Sequence, residues 1–311
     1  MAGDGTGGQK WEDPAIIYKK NCSPQLFDKY FEKHRFKLGW HPKPELDEFG
    51  VSVAEDVIRN EKPDLTMIHV SAVDIARHGN GMFGPAIDDA IRKVDSWLCR
   101  LEQAVSDSGW FDETNFIIVS DHGHLKVDKQ VNLNVLFKEE GLIQTDDHGE
   151  LASYQAYCHS SGLSAQILLA DAADTEVRKK VEAILEYAKD TEAFGIKAIY
   201  TRREAEEKFQ LSGPFEYVVE GAGGVAFAAK WDGRAIINEE DSDYDYVKTS
   251  HGHRPHLGPQ PVFMAKGPDF KENIVIRECS ILDEVPTFAA VLGVEMEGLE
   301  GRCLHELLAH Y

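Results

Sequence analysis

The run Asn115-Phe116-Ile117-Ile118-Val119-Ser120-Asp121-His122-Gly123-His124 constrains this chain more than any other stretch. A short apolar segment rich in β-branched residues stops at Ser-Asp-His-Gly, the pattern of a buried strand that ends in a turn. In open α/β sheets, ligands sit just beyond the carboxyl ends of strands. An adjacent Asp121 and His122 at such an end form a candidate metal or catalytic site. The alternative is a solvated turn that happens to be rich in Asp, His and Gly.

A second strand is expected over 65–70, and it leads into Asp74 and His78. The Asp-x-x-x-His spacing puts both side chains within one turn of each other, a plausible grip on a cation. His69, inside that strand, reads as a satisfied core histidine. Between the two strands, Ile87, Ala90, Ile91, Val94, Trp97, Leu98, Leu101 and Val105 give a 3.6-residue period, so 86–107 is expected to be helical. Strand, helix and strand make a βαβ crossover, with parallel strands whose ends share one sheet edge. That topology places Asp74 and His78 beside Asp121 and His122. A third dense stretch, 251–256, carries His251, His253 and His256 among Gly and Pro.

Other elements follow from period and turn residues. Helices are expected over 14–33, 45–60, 131–140, 175–190, 202–209, 283–292 and 304–309. Strands are expected over 154–159, 165–170, 197–200 and 261–265, with a hairpin of 215–219 and 225–231 across 220–224. The class is α/β. Residues 1–144 and 249–311 read as one discontinuous main domain, with 145–248 inserted as a cap.

The formal net charge of −21 and a pI near 5.0 argue against nucleic acid or an anionic membrane as partner, because both need a basic face. An acidic surface is compatible with cation binding. No run of apolar residues is long enough for a spanning helix, and the Gly-rich first residues carry no visible signal peptide. The five cysteines are scattered without a CxxC, so neither a disulfide framework nor a zinc ribbon fits. Reduced thiols and a cytoplasmic chain are expected.

Three blocks in order, DIARHGNGMFGP (74–85), VSDHGH (119–124) and SHGHRPHLGPQPVFMAKGPDFK (250–271), resemble the alkaline phosphatase superfamily, and most closely its type I phosphodiesterase/nucleotide pyrophosphatase family. VDKQVNLNVLFKEEGLI (127–143) and the ending near Gly301-Arg302-Cys303-Leu304 resemble the same family. The resemblance implies an alkaline-phosphatase-like, mostly parallel sheet sandwiched by helices, with a smaller α+β cap. It implies two divalent ions, usually zinc, bridged by the phosphate of a small phosphoester or nucleotide substrate. Asp74, His78 and His251 would hold one ion, and Asp121 and His122 would help hold the other. His253 competes with His251, and the His-Gly register favours His251. His124 stands where the family usually has a Met-like residue and is expected to surround the ligands or face solvent.

The family also has an earlier strand ending in a metal-binding Asp, then a Thr or Ser nucleophile at a helix start. Neither is found here, and Asp4 and Thr6 are not assigned to those roles. The expectation is an N-terminally truncated member without its first strands, whose nucleophile is unknown and whose second metal site is incomplete. The implied activity is metal-dependent phosphoric ester hydrolysis. The alternatives are a non-catalytic chain that binds one metal or a phosphate ligand, or a phosphomutase or sulfatase activity.

Overall fold

Local chemistry starts and stops the helices where the apolar period calls for them. Pro85–Ser108 begins on a proline, whose missing N–H costs nothing at the first helical position. It ends before Gly109, whose φ of +82° is a glycine-favouring left-handed stop. Thr175–Asp190 is capped by Asp174, whose carboxylate accepts from the Glu176 and Val177 amides, and it buries Val177, Val181, Ile184, Leu185 and Ala188. Thr201 and Glu204 close a reciprocal capping box ahead of Arg202–Phe209. The computed structural model describes residues 14–38 and 45–310. The Gly-rich start and the turn at Pro42-Lys43-Pro44 lie outside the described residues.

The chain is a mixed α/β structure that divides into two compact units, one of 1–21, 71–92 and 124–259, the other of 22–70, 93–123 and 260–311. In the first unit, Ala156–Ser160, Ser164–Leu169, Tyr217–Gly221 and Ile196–Thr201 lie in that order in an antiparallel four-stranded sheet. Its core includes Phe137, Ile167, Leu185 and Phe227. Lys129–Val131 runs between Val225–Phe227 and Ile236–Asn238. Leu125–Lys126 pairs antiparallel with Thr249–Ser250.

In the second unit, Phe116–Val119 pairs antiparallel with Phe263–Lys266. Glu45–Glu61 buries Phe49, Val51 and Ala54. Its Glu48 accepts from the indole of Trp97 at 2.7 Å, from Arg100 at 2.8 and 3.0 Å, and from Lys37 at 3.4 Å. Burial pushes the Glu48 carboxyl up, but the bonds from Trp97, Arg100 and Lys37 outweigh it and bring the pKa from 4.5 down to about 2. A depressed carboxylate stabilises the fold above its unfolded pKa, and that contribution is lost as pH falls through the folded value. Glu48→Gln is therefore expected to lower unfolding stability at pH 7 by about 1–3 kcal/mol. Urea titrations should show the gap closing between pH 4.5 and about 2. A gap of the same size at pH 2 would rule out the charge as its source.

Five expectations are corrected. Residues 65–70 form no strand, because no described segment pairs with them, and Leu65 and Met67 are exposed. His69 is likewise exposed rather than buried in a core. Phe116–Val119 takes an antiparallel partner, so the parallel βαβ step is not built. Among the described strands, the parallel pair is Val225–Phe227 with Lys129–Val131. The hairpin across 220–224 is not formed either. Tyr217–Gly221 joins the four-stranded sheet, while the Gly224 carbonyl accepts from the Asp128 and Lys129 amides and turns the chain to another sheet. Near the C-terminus a single helical turn, His305–Leu307, replaces the expected helix. No described helix is long and apolar enough to cross a membrane.

Candidate metal centre

Three short elements of the first unit assemble the site. The Ala72–Asn80 helix carries Asp74 in its first turn and His78 one turn on, so both project from one face. It ends at Gly81, whose φ is +98°. The His78 carbonyl then accepts from the Lys248 amide at 2.8 Å, which fastens the helix end to the start of Thr249–Ser250. In the two-residue ladder Ser250 faces Leu125 and Thr249 faces Lys126. An antiparallel register of that kind puts the residue before Leu125 and the residue after Ser250 at the same end. Those residues are His124 and His251.

The donors converge on one oxygen. Asp74 Oδ1 lies 2.9 Å from His124 Nε2, 3.3 Å from His78 Nε2 and 3.7 Å from His251 Nε2. The three imidazoles stand edge to face, with centroids 4.8, 5.2 and 5.5 Å apart. His124 is buried, whereas Asp74, His78 and His251 are half-buried. Burial raises the Asp74 carboxyl, but hydrogen bonds from His124 and His78 overcome it and hold the group well below the usual carboxylate range.

Thr249, fully buried, orients two of the rings, a role that sequence inspection missed. Its carbonyl lies 2.7 Å from His78 Nδ1, and its hydroxyl 3.0 Å from His124 Nδ1. A carbonyl can only accept, so His78 Nδ1 carries the proton. The other nitrogen, Nε2, faces the Asp74 carboxylate: in the imidazolium it donates there, and in the neutral ring it carries a lone pair. Two electron-rich atoms in that relation are matched by a cation placed between them. A ring nitrogen that ligates while the other donates to a carbonyl is the usual arrangement of a metal-binding histidine. One Asp and several His suit zinc, so the donor set fits a divalent ion.

The remaining candidates make contacts of their own. His253 turns its imidazole onto Gly258, where a Cβ would overlap Nε2, and it is not among the donors gathered on Asp74. Asp121 and His122 belong to the second unit, in the loop that follows Phe116–Val119. There the Asp121 carboxylate accepts from the His122 amide at 3.0 Å and lies 3.4 Å from His122 Nε2. Ser120 holds the loop's start, donating its amide to the Val262 carbonyl and accepting from the Val262 amide.

The sequence profile of the type I phosphodiesterase / nucleotide pyrophosphatase family matches residues 8–253. The chain belongs to this family. Relatives are distant. An ectonucleotide pyrophosphatase/phosphodiesterase of Caenorhabditis elegans is 21% identical over 280 residues, which are 89% of this chain and 31% of that protein. Human ectonucleotide pyrophosphatase / phosphodiesterase 5 superposes with a TM-score of 0.64 at 18% identity, over 88% of this chain and 66% of that one. The murine protein gives 0.62 at 17% with the same coverage. An inactive murine variant in complex with AMP also gives 0.62, at 18% identity and the same coverage. The phosphodiesterase-family chain thus has the alkaline-phosphatase-like fold of these proteins. It spans about a third of the curated relative and two thirds of the solved chains.

Proposed function

We propose that this chain carries the metal centre of a phosphoric ester hydrolase of the nucleotide pyrophosphatase type. The observation that carries the proposal is the His78 ring, protonated toward the Thr249 carbonyl and presenting its other nitrogen to Asp74. Family membership supports the reaction class, and the AMP complex of a murine relative supports a nucleotide phosphoester as substrate. Asp74, His78 and His251 would hold one zinc. Asp121 and His122 would serve a second. A divalent ion held there supplies Lewis-acid stabilisation of charge on a phosphoryl oxygen. Asp74 and the imidazoles fix its position, and Thr249 fixes the rings. The 145–248 segment, which contains the four-stranded sheet, would serve as the cap that shapes the substrate pocket. Five unpaired thiols, two of them exposed, suit a reducing compartment and a cytoplasmic chain.

The family's strand-ending metal Asp and helix-start Thr or Ser nucleophile are matched to no described residue. A covalent phosphoryl intermediate needs such an acceptor. The chain by itself is therefore expected to bind zinc and a nucleotide monophosphate but to hydrolyse a nitrophenyl phosphodiester near the background rate. Calorimetry with AMP on the zinc-loaded and zinc-free protein tests the site, because zinc-independent AMP binding would count against it. Robust turnover that Asp121→Ala abolishes would show that a nucleophile is present.

A further inference from the structure

We infer that Arg77 receives the phosphoryl group of the substrate beside the metal centre, pairing its guanidinium with phosphate oxygens that the ion does not hold. The inference rests on the proposed metal centre and names the side chain that binds the anion there.

Placement comes first. Arg77 follows Asp74 by three positions on the Ala72–Asn80 helix and directly precedes His78. Positions three and four apart share a helical face. Arg77 and His78 therefore flank Asp74 on the next turn, and the cation sits among the proposed metal ligands.

Arg77 is also left without a protein partner. Its Nε is buried and meets no hydrogen-bond acceptor, and no carboxylate among the described residues pairs with it. Acids are not scarce, since the chain holds 54 Asp and Glu against 33 Lys and Arg. Every other described arginine is paired with a carboxylate, except Arg277, which is exposed. Asp74 stands at a spacing that allows a pair, yet its Oδ1 is approached by imidazoles and not by Arg77. An enclosed N–H without an acceptor costs stability, and an incoming anion removes that cost.

Charge and shape select phosphate. A divalent ion and the Asp74 carboxylate sum to one positive charge. A phosphate monoester carries about −1.5 to −2 at pH 7, so one further cation balances it. A guanidinium is planar, always charged and forked, which matches two phosphate oxygens at once. A substrate with one phosphoryl oxygen on the ion has others to offer Arg77.

The competing role is structural, with the stem packing the helix and the charged head in water. Removing a residue of that kind would disturb Asp74 and His78, and zinc affinity would fall with it. The experiment uses the full zinc-loaded chain beside Arg77→Met and Arg77→Gln, two neutral variants of good helix propensity, with circular dichroism to check the fold. Calorimetry with AMP is expected to show an affinity roughly 10- to 100-fold lower in both variants, while equilibrium dialysis shows parental zinc affinity. Parental AMP affinity in a folded variant would overturn the role of Arg77. A loss of AMP affinity matched by a loss of zinc would overturn it as well. In both cases the parent still needs zinc to bind AMP, so the metal centre stands. A parent that takes up no zinc, or binds AMP equally without it, would overturn the metal centre and this role together.

Discussion

The double variant Asp74→Ala/His251→Ala is expected to lose stoichiometric zinc. Asp74 Oδ1 is the atom on which His78, His124 and His251 all converge, and removing it leaves imidazoles without the charge that neutralises a divalent ion. His251 directly follows the Thr249–Ser250 strand, and the Leu163 amide donates to its carbonyl at 2.8 Å, so its position is set by backbone. Loss of two direct ligands should weaken binding well beyond the roughly 10- to 100-fold that outer partners cost. Equilibrium dialysis followed by elemental analysis measures it, with His159→Ala as an exposed control that should retain the metal. Equal zinc content in the double variant and the parent would sink the site. Because carboxylate and imidazole must be deprotonated to bind, the parent should also shed zinc on acidification.

Gly252→Ala should damage both fold and site, at a cost of about 2–4 kcal/mol. Gly252 has a φ of +87°, and a Cβ there would overlap the Ser161 carbonyl oxygen. The neighbouring backbone atom cannot rotate away as a side chain could, so the chain must shift. The shift falls on His251, whose carbonyl already crowds Gly162. Thermal unfolding and zinc affinity should therefore both fall. A variant with parental stability would show that the loop accommodates the methyl group. Normal zinc affinity despite lower stability would show that the strain does not reach His251.

Much of the site was legible in the sequence because its residues follow conformational signals. Asp74 and His78 share a helix turn through their spacing, and His251 stands before the one glycine that the loop at 252 requires. The helix over 175–190 was readable to the residue, since its five buried positions keep a strict period. The parallel crossover was not readable. An apolar run such as 65–70 states that a strand is possible, but a ladder also needs a partner, and hydrogen bonding between distant segments leaves no mark on either one. The Leu125–Lys126 and Thr249–Ser250 ladder shows the same limit from the other side. Two residues are too few for a period-2 pattern, yet that ladder sets His124 beside His251. For the same reason the burial of His124 and the double contact of Thr249 were hidden.

His78 and Thr249 touch across 171 positions of sequence, and His124 and Thr249 across 125. Ligands this far apart meet only after long loops have closed, late in folding. The unfolded chain therefore holds no preformed cage, and any ion bound here favours the native state by mass action, about 2.7 kcal/mol at a free concentration one hundred times the dissociation constant. The ion would work as a reversible cross-link, and the resistance of the first unit to unfolding would track the metal supply around it.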